Sequence, residues 1–189
     1  QMELFGNLRL KTGRFLLHKR HTPVKRIKQD FDLDSVKKVG ILWDASYESD
    51  FQHLAALNRQ LVQSGKTVEV IAWIPGKSVP DKLTGLTYMK FLRKNDLNWV
   101  YLPVSEDARS FIATKFDLVI DINPSSLFPL TSLCWLSSSP MKVGPDLTDE
   151  PEKAPYDLMI RTSKPFSIAL FLEQVMLYLS MISNPDTRA

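Results

Sequence analysis

Two aspartates occupy positions where ligand chemistry is done in chains that alternate strands with helices. Asp44 closes the apolar run Val39-Gly40-Ile41-Leu42-Trp43, and Asp121 follows Leu118-Val119-Ile120. If those runs are neighbouring parallel strands, both carboxylates sit at strand carboxyl ends, beside the crevice where open α/β sheets bind ligands. Together they could hold a metal ion, or one could act as a base toward a small substrate. Ser46, Tyr47, Asn123, Ser125 and Ser126 follow the same two strands and would line that crevice. The competing use of aspartate here is to accept backbone N–H groups in strand-to-helix turns, and the residue types favour that use.

No further group completes a reactive set. A dinucleotide fingerprint needs several glycines after the first strand, and Asp44-Ala45-Ser46-Tyr47-Glu48-Ser49 has none. Gly76-Lys77-Ser78 has the ending of a phosphate-binding loop, but Ile71 stands where its first glycine belongs and Pro80 follows closely. An aspartate-based phosphatase would want a second Asp two residues after Asp44, where Ser46 stands. His18 and His21 fall in a basic segment, and His53 is expected near the start of a helix as a surface or packed side chain. Cys134 is the single cysteine, so no disulfide within the chain and no thiolate cage can form. No catalytic residue, metal site or cofactor is therefore expected, and a reducing, cytoplasmic location is.

A different chemistry is written in the first thirty residues. Arg9, Lys11, Arg14, Lys19, Arg20, Lys25, Arg26 and Lys28 lie within twenty positions that contain no acid, leaving 16 of the 24 basic side chains to the rest of the chain against 21 acidic ones. A concentrated positive segment on a mildly acidic body is the footprint of a polyanion or an anionic surface. Residues 1–34 are accordingly expected as a basic amino-terminal arm, dispensable for folding, with Gly13 and Pro23 weakening any continuous helix; its alternative use is as a solvated arm that packs its few apolar residues on the domain or meets a protein partner. Phe15 is the only aromatic ring in the basic stretch, which does not indicate base stacking. Phe15-Leu16-Leu17 is too short for a secretory leader, and no run of apolar residues is long enough to span a bilayer.

The elements that must position these residues alternate from residue 35 to about 183, ahead of a short tail at 184–189. Strands are expected at 39–43, 67–74, 99–102, 118–122, 141–143 and 158–161, and helices at 49–64, 86–95, 105–115, 127–136 and 165–182. Ser49 and Gln52 have capping-box spacing for the first of these helices, with Phe51, Leu54, Ala55, Leu61 and Val62 on its inner face. Glu106 and Asp107 open another helix where the dipole favours negative charge. The Thr148–Pro155 stretch reads as an acidic surface loop. Alternation of this kind specifies a three-layer Rossmann-like α/β domain with a mostly parallel sheet, in the common 3-2-1-4 strand order. The closing helix, Pro165 to Ile182, has Glu173 as its one charge and is expected to pack on the sheet, with part of it available to join two copies of the chain.

Two resemblances follow from particular stretches. Phe116-Asp117-Leu118-Val119-Ile120-Asp121-Ile122-Asn123, then Phe128-Pro129-Leu130 and Met141-Lys142-Val143-Gly144, with Asp96-Leu97-Asn98-Trp99, the Gly65-Lys66 turn and the apolar final helix, resemble a family of Bacteroidota proteins classed as a domain of unknown function. That likeness runs from about Val36 to Ile182 and implies a fold without an activity. The Asp-Leu-Val-Ile-Asp stretch leading to Lys-Val-Gly is also similar, over about thirty residues, to the amino-terminal half of heptosyltransferase-like glycosyltransferases. Those enzymes hold sugar nucleotide mainly in a second half for which this chain has no room.

The expected function is that of a non-enzymatic accessory protein, associated with RNA or a ribonucleoprotein through its basic segment. An anionic membrane surface is the other target such a segment suits. The alternative is a glycosyltransferase-like or other small-ligand-binding module using the Asp44 and Asp121 crevice.

Overall fold

In the computed structural model, which describes residues 2–20, 31–147 and 154–183, six strands form one parallel sheet. They are β1 (Lys38–Asp44), β2 (Thr67–Trp73), β3 (Met89–Leu92), β4 (Leu118–Ile122), β5 (Met141–Pro145) and β6 (Leu158–Ile160), arranged β3-β2-β1-β4-β5-β6. Strand order reverses between β1 and β4, which pair in parallel from Val39 opposite Leu118 to Trp43 opposite Ile122. Both strands are buried on two faces, as expected of near-continuous apolar runs at the centre of a parallel sheet.

Side chains alternate across the sheet and so build two cores. Val39, Ile41, Trp43, Ile120 and Ile122 pack against α2 (Phe51–Gln63) and α5 (Ile168–Ser183) through Leu54, Leu57, Leu61, Phe171, Val175 and Leu179. On the other face Leu42, Ile71 and Val119 meet α3 (Glu106–Ala113) and α4 (Phe128–Leu136) through Ala108, Phe111, Leu130, Leu133 and Cys134. The result is the expected three-layer Rossmann-like α/β arrangement. Among the described residues no helix is long and apolar enough to cross a membrane.

Helix α1 (Met2–Arg20) adds a further layer outside α4. Leu17 is 2% exposed, and with Leu10 and Leu16 it packs on Val100, Leu102, Phe128, Trp135 and Leu136. Gly13 sits at the closest approach, where an added Cβ would lie 2.3 Å from the Val100 carbonyl oxygen and 3.0 Å from the Phe128 ring. A glycine expected to weaken the helix is thus what lets the helix dock. Of this stretch, Leu10, Leu16 and Leu17 pack into a core, while Lys11, Arg14 and Phe15 stay exposed, so the expectation that it adds little to a core is corrected for those three leucines. Lys25, Arg26 and Lys28 lie outside the described residues, as do residues 148–153 of the acidic loop.

Other local expectations also change. The 86–95 segment forms strand β3 in place of a helix, because Met89 and Leu92 are too short a run for periodicity to decide between the two. Residues 99–102 form a turn in place of a strand. Ser49 makes no backbone cap: a short 3-10 turn, Glu48–Asp50, leads into α2, and Val62 faces outward while Leu57 takes the inner position. Ser105 does cap α3, accepting from the Ala108 N–H at 3.3 Å. Helix α5 buries Ile168, Phe171, Leu172, Val175 and Leu179 and leaves Leu170, Leu177, Tyr178 and Met181 on its outer side.

Candidate functional site

Asp44 and Asp121 lie on the same face of neighbouring strands, at the point where strand order reverses, and both are buried. Asp44 Oδ1 accepts from the backbone N–H and the hydroxyl of Ser46, which is the turn-forming use of the residue. Asp44 Oδ2 has no hydrogen-bond partner. Asp121 Oδ2 accepts from the Tyr156 hydroxyl at 2.7 Å, while its Oδ1 also has no partner. The Asp121 carboxyl is raised to about 7, chiefly by burial, with the Tyr156 hydroxyl and the Asn123 amide pulling it down and the Asp44 charge pushing it up. Tyr156 is itself raised well above the usual phenol range, chiefly by burial and then by the Asp121 charge, so its proton stays on oxygen to be donated.

The remaining crevice residues divide. Asn123 is spent on the loop into α4: its amide donates to the Leu127 carbonyl at 3.1 Å and to the Thr131 hydroxyl at 3.2 Å, and its Oδ1 accepts from the Leu127 N–H at 2.8 Å. Ser125 and Ser126 ride on that turn, exposed, with Ser126 in the left-handed region at φ 50°. Ser46 and Tyr47 are exposed beyond the end of β1. The structure therefore brings together Asp44, Asp121 and Asn123, and adds Tyr156. Among the described residues no three His, Cys, Asp or Glu side chains are placed to hold a metal ion. His53 lies on the opposite side of the sheet, lining an open groove of about 380 Å³ between α2 and α5 with Gln60 and Glu173.

Tyr156 was missed in the sequence, although a signal for it exists. Lys38-Val39-Gly40 and Lys142-Val143-Gly144 are matched by Phe116-Asp117-Leu118-Val119-Ile120 and Tyr156-Asp157-Leu158-Met159-Ile160. The two sets pair in the same register, Val39 opposite Leu118 and Val143 opposite Leu158. In both, the aspartate accepts from the lysine N–H, Asp117 from Lys38 at 2.8 Å and Asp157 from Lys142 at 2.9 Å. In both, the aromatic ring lies over the glycine: a Cβ on Gly40 would meet Phe116 at 3.1 Å, and one on Gly144 would meet Tyr156 at 2.3 Å. At the aromatic position the second copy differs by one hydroxyl, and that hydroxyl reaches Asp121.

A second constellation forms where α1 meets the loop after β3. The Arg9 side chain donates to the Trp99 carbonyl, and its guanidinium lies 4.7 Å from the centre of the Tyr101 ring. Lys11, Arg14 and Lys19 are exposed on the same helix. Arg20 is the last residue of α1, so five of the eight expected basic residues fall on this helix.

The chain as a whole can now be placed against known proteins. It belongs to a family of unknown function, DUF6913, whose model matches residues 10–182. The match takes in the docking residues of α1 from Leu10 onward and the whole sheet, and begins one residue after Arg9. No curated protein and no solved structure matches the chain.

Proposed function

We propose that this protein is a non-enzymatic accessory module that contacts RNA through its basic amino-terminal segment. The observation that carries the reading is that Lys11, Arg14 and Lys19 stand exposed on a helix fixed to the domain by Leu17. Cations on a docked helix are pre-positioned, so less conformational entropy is lost when they meet phosphates than with a free arm. With Arg9 engaged on the loop, five or six phosphates remain a reasonable reach for the segment. The logarithm of affinity should then fall with the logarithm of salt with a slope of roughly −4 to −5, at about 0.7 to 0.9 per phosphate. Replacing Lys19, Arg20, Lys25 and Arg26 by Ala should flatten that slope by about 3, measured by fluorescence anisotropy with a short RNA. Affinity that is undetectable at low salt, or indifferent to the fourfold variant, overturns the reading. Liposomes with anionic lipid are the control, because membrane binding would also require Phe15, which is 67% exposed on the outer side of α1.

One observation favours a second reading, a small-ligand site at the strand ends. The unpartnered oxygens Asp44 Oδ2 and Asp121 Oδ1 are buried acceptors that a cation or a ligand hydroxyl would satisfy. Titration calorimetry with divalent cations and nucleotide sugars tests it: saturable heat, lost in both Asp44→Asn and Asp121→Asn, would move the function to the crevice.

A further inference from the structure

Trp99 is 62% exposed, yet the loop that carries it is tied down by several hydrogen bonds. Asn98 Oδ1 accepts from the N–H groups of both Val100 and Leu102 at 3.0 Å, and the Asn98 N–H donates to the Leu102 carbonyl at 2.9 Å. Tyr101 donates back to the Asn98 carbonyl at 3.0 Å and takes the left-handed conformation, φ 64°, which a bulky residue rarely adopts. Upstream, Asp96 Oδ2 accepts from the Arg93 N–H at 2.7 Å, and the Asp96 carbonyl accepts from the Val104 N–H at 2.9 Å. Val100 and Leu102 point inward under α1, and the same turn directs Trp99 outward. Folding thus spends a strained backbone position and several hydrogen bonds on holding a large aromatic ring in water.

The surroundings of that ring are cationic. Arg9 donates to the carbonyl of Trp99 itself, and Arg109 donates to the Val104 carbonyl at 2.8 Å at the other end of the loop. Arg93 and Lys94 precede the loop and are exposed, and Lys11 and Arg14 stand on the helix that bears Arg9. The acids nearby are Asp96, whose Oδ2 is bonded to the Arg93 N–H and pairs with the Arg93 guanidinium at 3.8 Å, and Glu106 and Asp107 in the first turn of α3. A solvent-facing ring on a loop whose backbone carbonyls are held by Arg9 and Arg109 is the arrangement that stacks an unpaired base while cations follow the backbone.

We propose that Trp99 is a base-stacking platform, so that the RNA this protein takes is single-stranded. The proposal rests on the RNA reading above and deepens it: the α1 cations supply affinity for any phosphate backbone, and Trp99 selects unpaired bases. An A-form duplex keeps its bases stacked on one another and offers Trp99 no face.

The test uses the full chain with a fluorescein-labelled twelve-nucleotide single-stranded RNA and the corresponding duplex, at low salt. Trp99→Ala should weaken single-strand binding by about 5- to 140-fold, the range one stacked base supplies, and leave duplex binding within about twofold. Trp99→Phe should keep most of the single-strand affinity, which guards against a folding defect in the alanine variant. Single-stranded RNA should quench intrinsic tryptophan fluorescence more strongly in the wild type than in Trp99→Phe, because Trp99 is the exposed one of the four tryptophans, Trp43 being buried and Trp73 and Trp135 half-buried. Equal loss on both RNAs, or salt-sensitive binding unchanged in Trp99→Ala, overturns the platform and leaves the RNA reading standing. No binding to either RNA overturns both. Unchanged RNA affinity together with altered self-association of Trp99→Ala in sedimentation would assign the ring to a protein contact instead.

Discussion

Asp121 shows most plainly how one side chain couples this fold to its medium. The unfolded carboxyl titrates near 3.8 and the folded one near 7, so the folded state binds the proton more tightly. Stability from this group is therefore fullest below about pH 3.8, declines as pH rises, and is lost above about 7. At 1.36 kcal/mol per pH unit the difference across that window is on the order of 4 kcal/mol. Asp121→Asn keeps an acceptor for the Tyr156 hydroxyl and removes the charge, so the variant should melt higher than wild type at pH 8 and lose the decline between pH 5 and 8. Thermal melts in matched buffers check both. Tyr156→Phe should act the other way, since it removes the donor that favours the ionised form; a loss of roughly 1–3 kcal/mol is expected at pH 8. Neither residue's role was legible in sequence. Asp121 was found from its place after an apolar run, but its burial depends on a tyrosine thirty-five positions away that only the sheet brings to it.

At the scale of elements, α1 shows where sequence patterning falls short. Its intrinsic signals conflict: basic charge and a mid-helix glycine both argue against a packed helix, while Leu10, Leu16 and Leu17 argue weakly for one. Tertiary contact decides the matter, because Val100, Leu102 and Phe128 form an apolar patch that only a helix with no Cβ at position 13 can approach. Gly13→Ala would favour an isolated helix by about 1 kcal/mol, yet here it should destabilise the protein, since the Cβ meets backbone oxygen. Leu17→Ala should cost about 2–5 kcal/mol in urea unfolding if α1 melts with the domain. A variant equal to wild type in stability would show that the helix opens separately. The 86–95 and 99–102 segments were misread for a related reason: short apolar runs carry no reliable period, and the loop between them is organised by Asp96 and Asn98, whose hydrogen bonds have no signature in hydropathy. The central strands were legible because burial on both faces leaves little choice of residue, and α5 because its length and apolar composition leave no other element, although Leu170, Leu177, Tyr178 and Met181 stay on its outer side.

At the scale of the whole molecule, the strand order and the two cores follow from the alternation of elements and the topological rules of parallel sheets. The placement of function does not. Basic charge and aromatic surface are separated by about ninety positions in the chain, Arg9 from Trp99, and only the docking of α1 makes them one surface.

Cys134 lies on the inner face of α4, in the core between that helix and the sheet. As the sole thiol of the chain, fully buried on the sheet-facing side of the helix that α1 covers, it also serves as a clock. A thiol-specific reagent can reach it only during excursions that part α4 from the sheet, so the labelling rate in native buffer counts those openings one molecule at a time. If α1 acts as a clasp on α4, Leu17→Ala should quicken the reaction by about tenfold or more while the folded spectrum is unchanged, and saturating single-stranded RNA should slow it. The protein thus carries its own label-free-of-engineering site for timing how often its outer layer lifts.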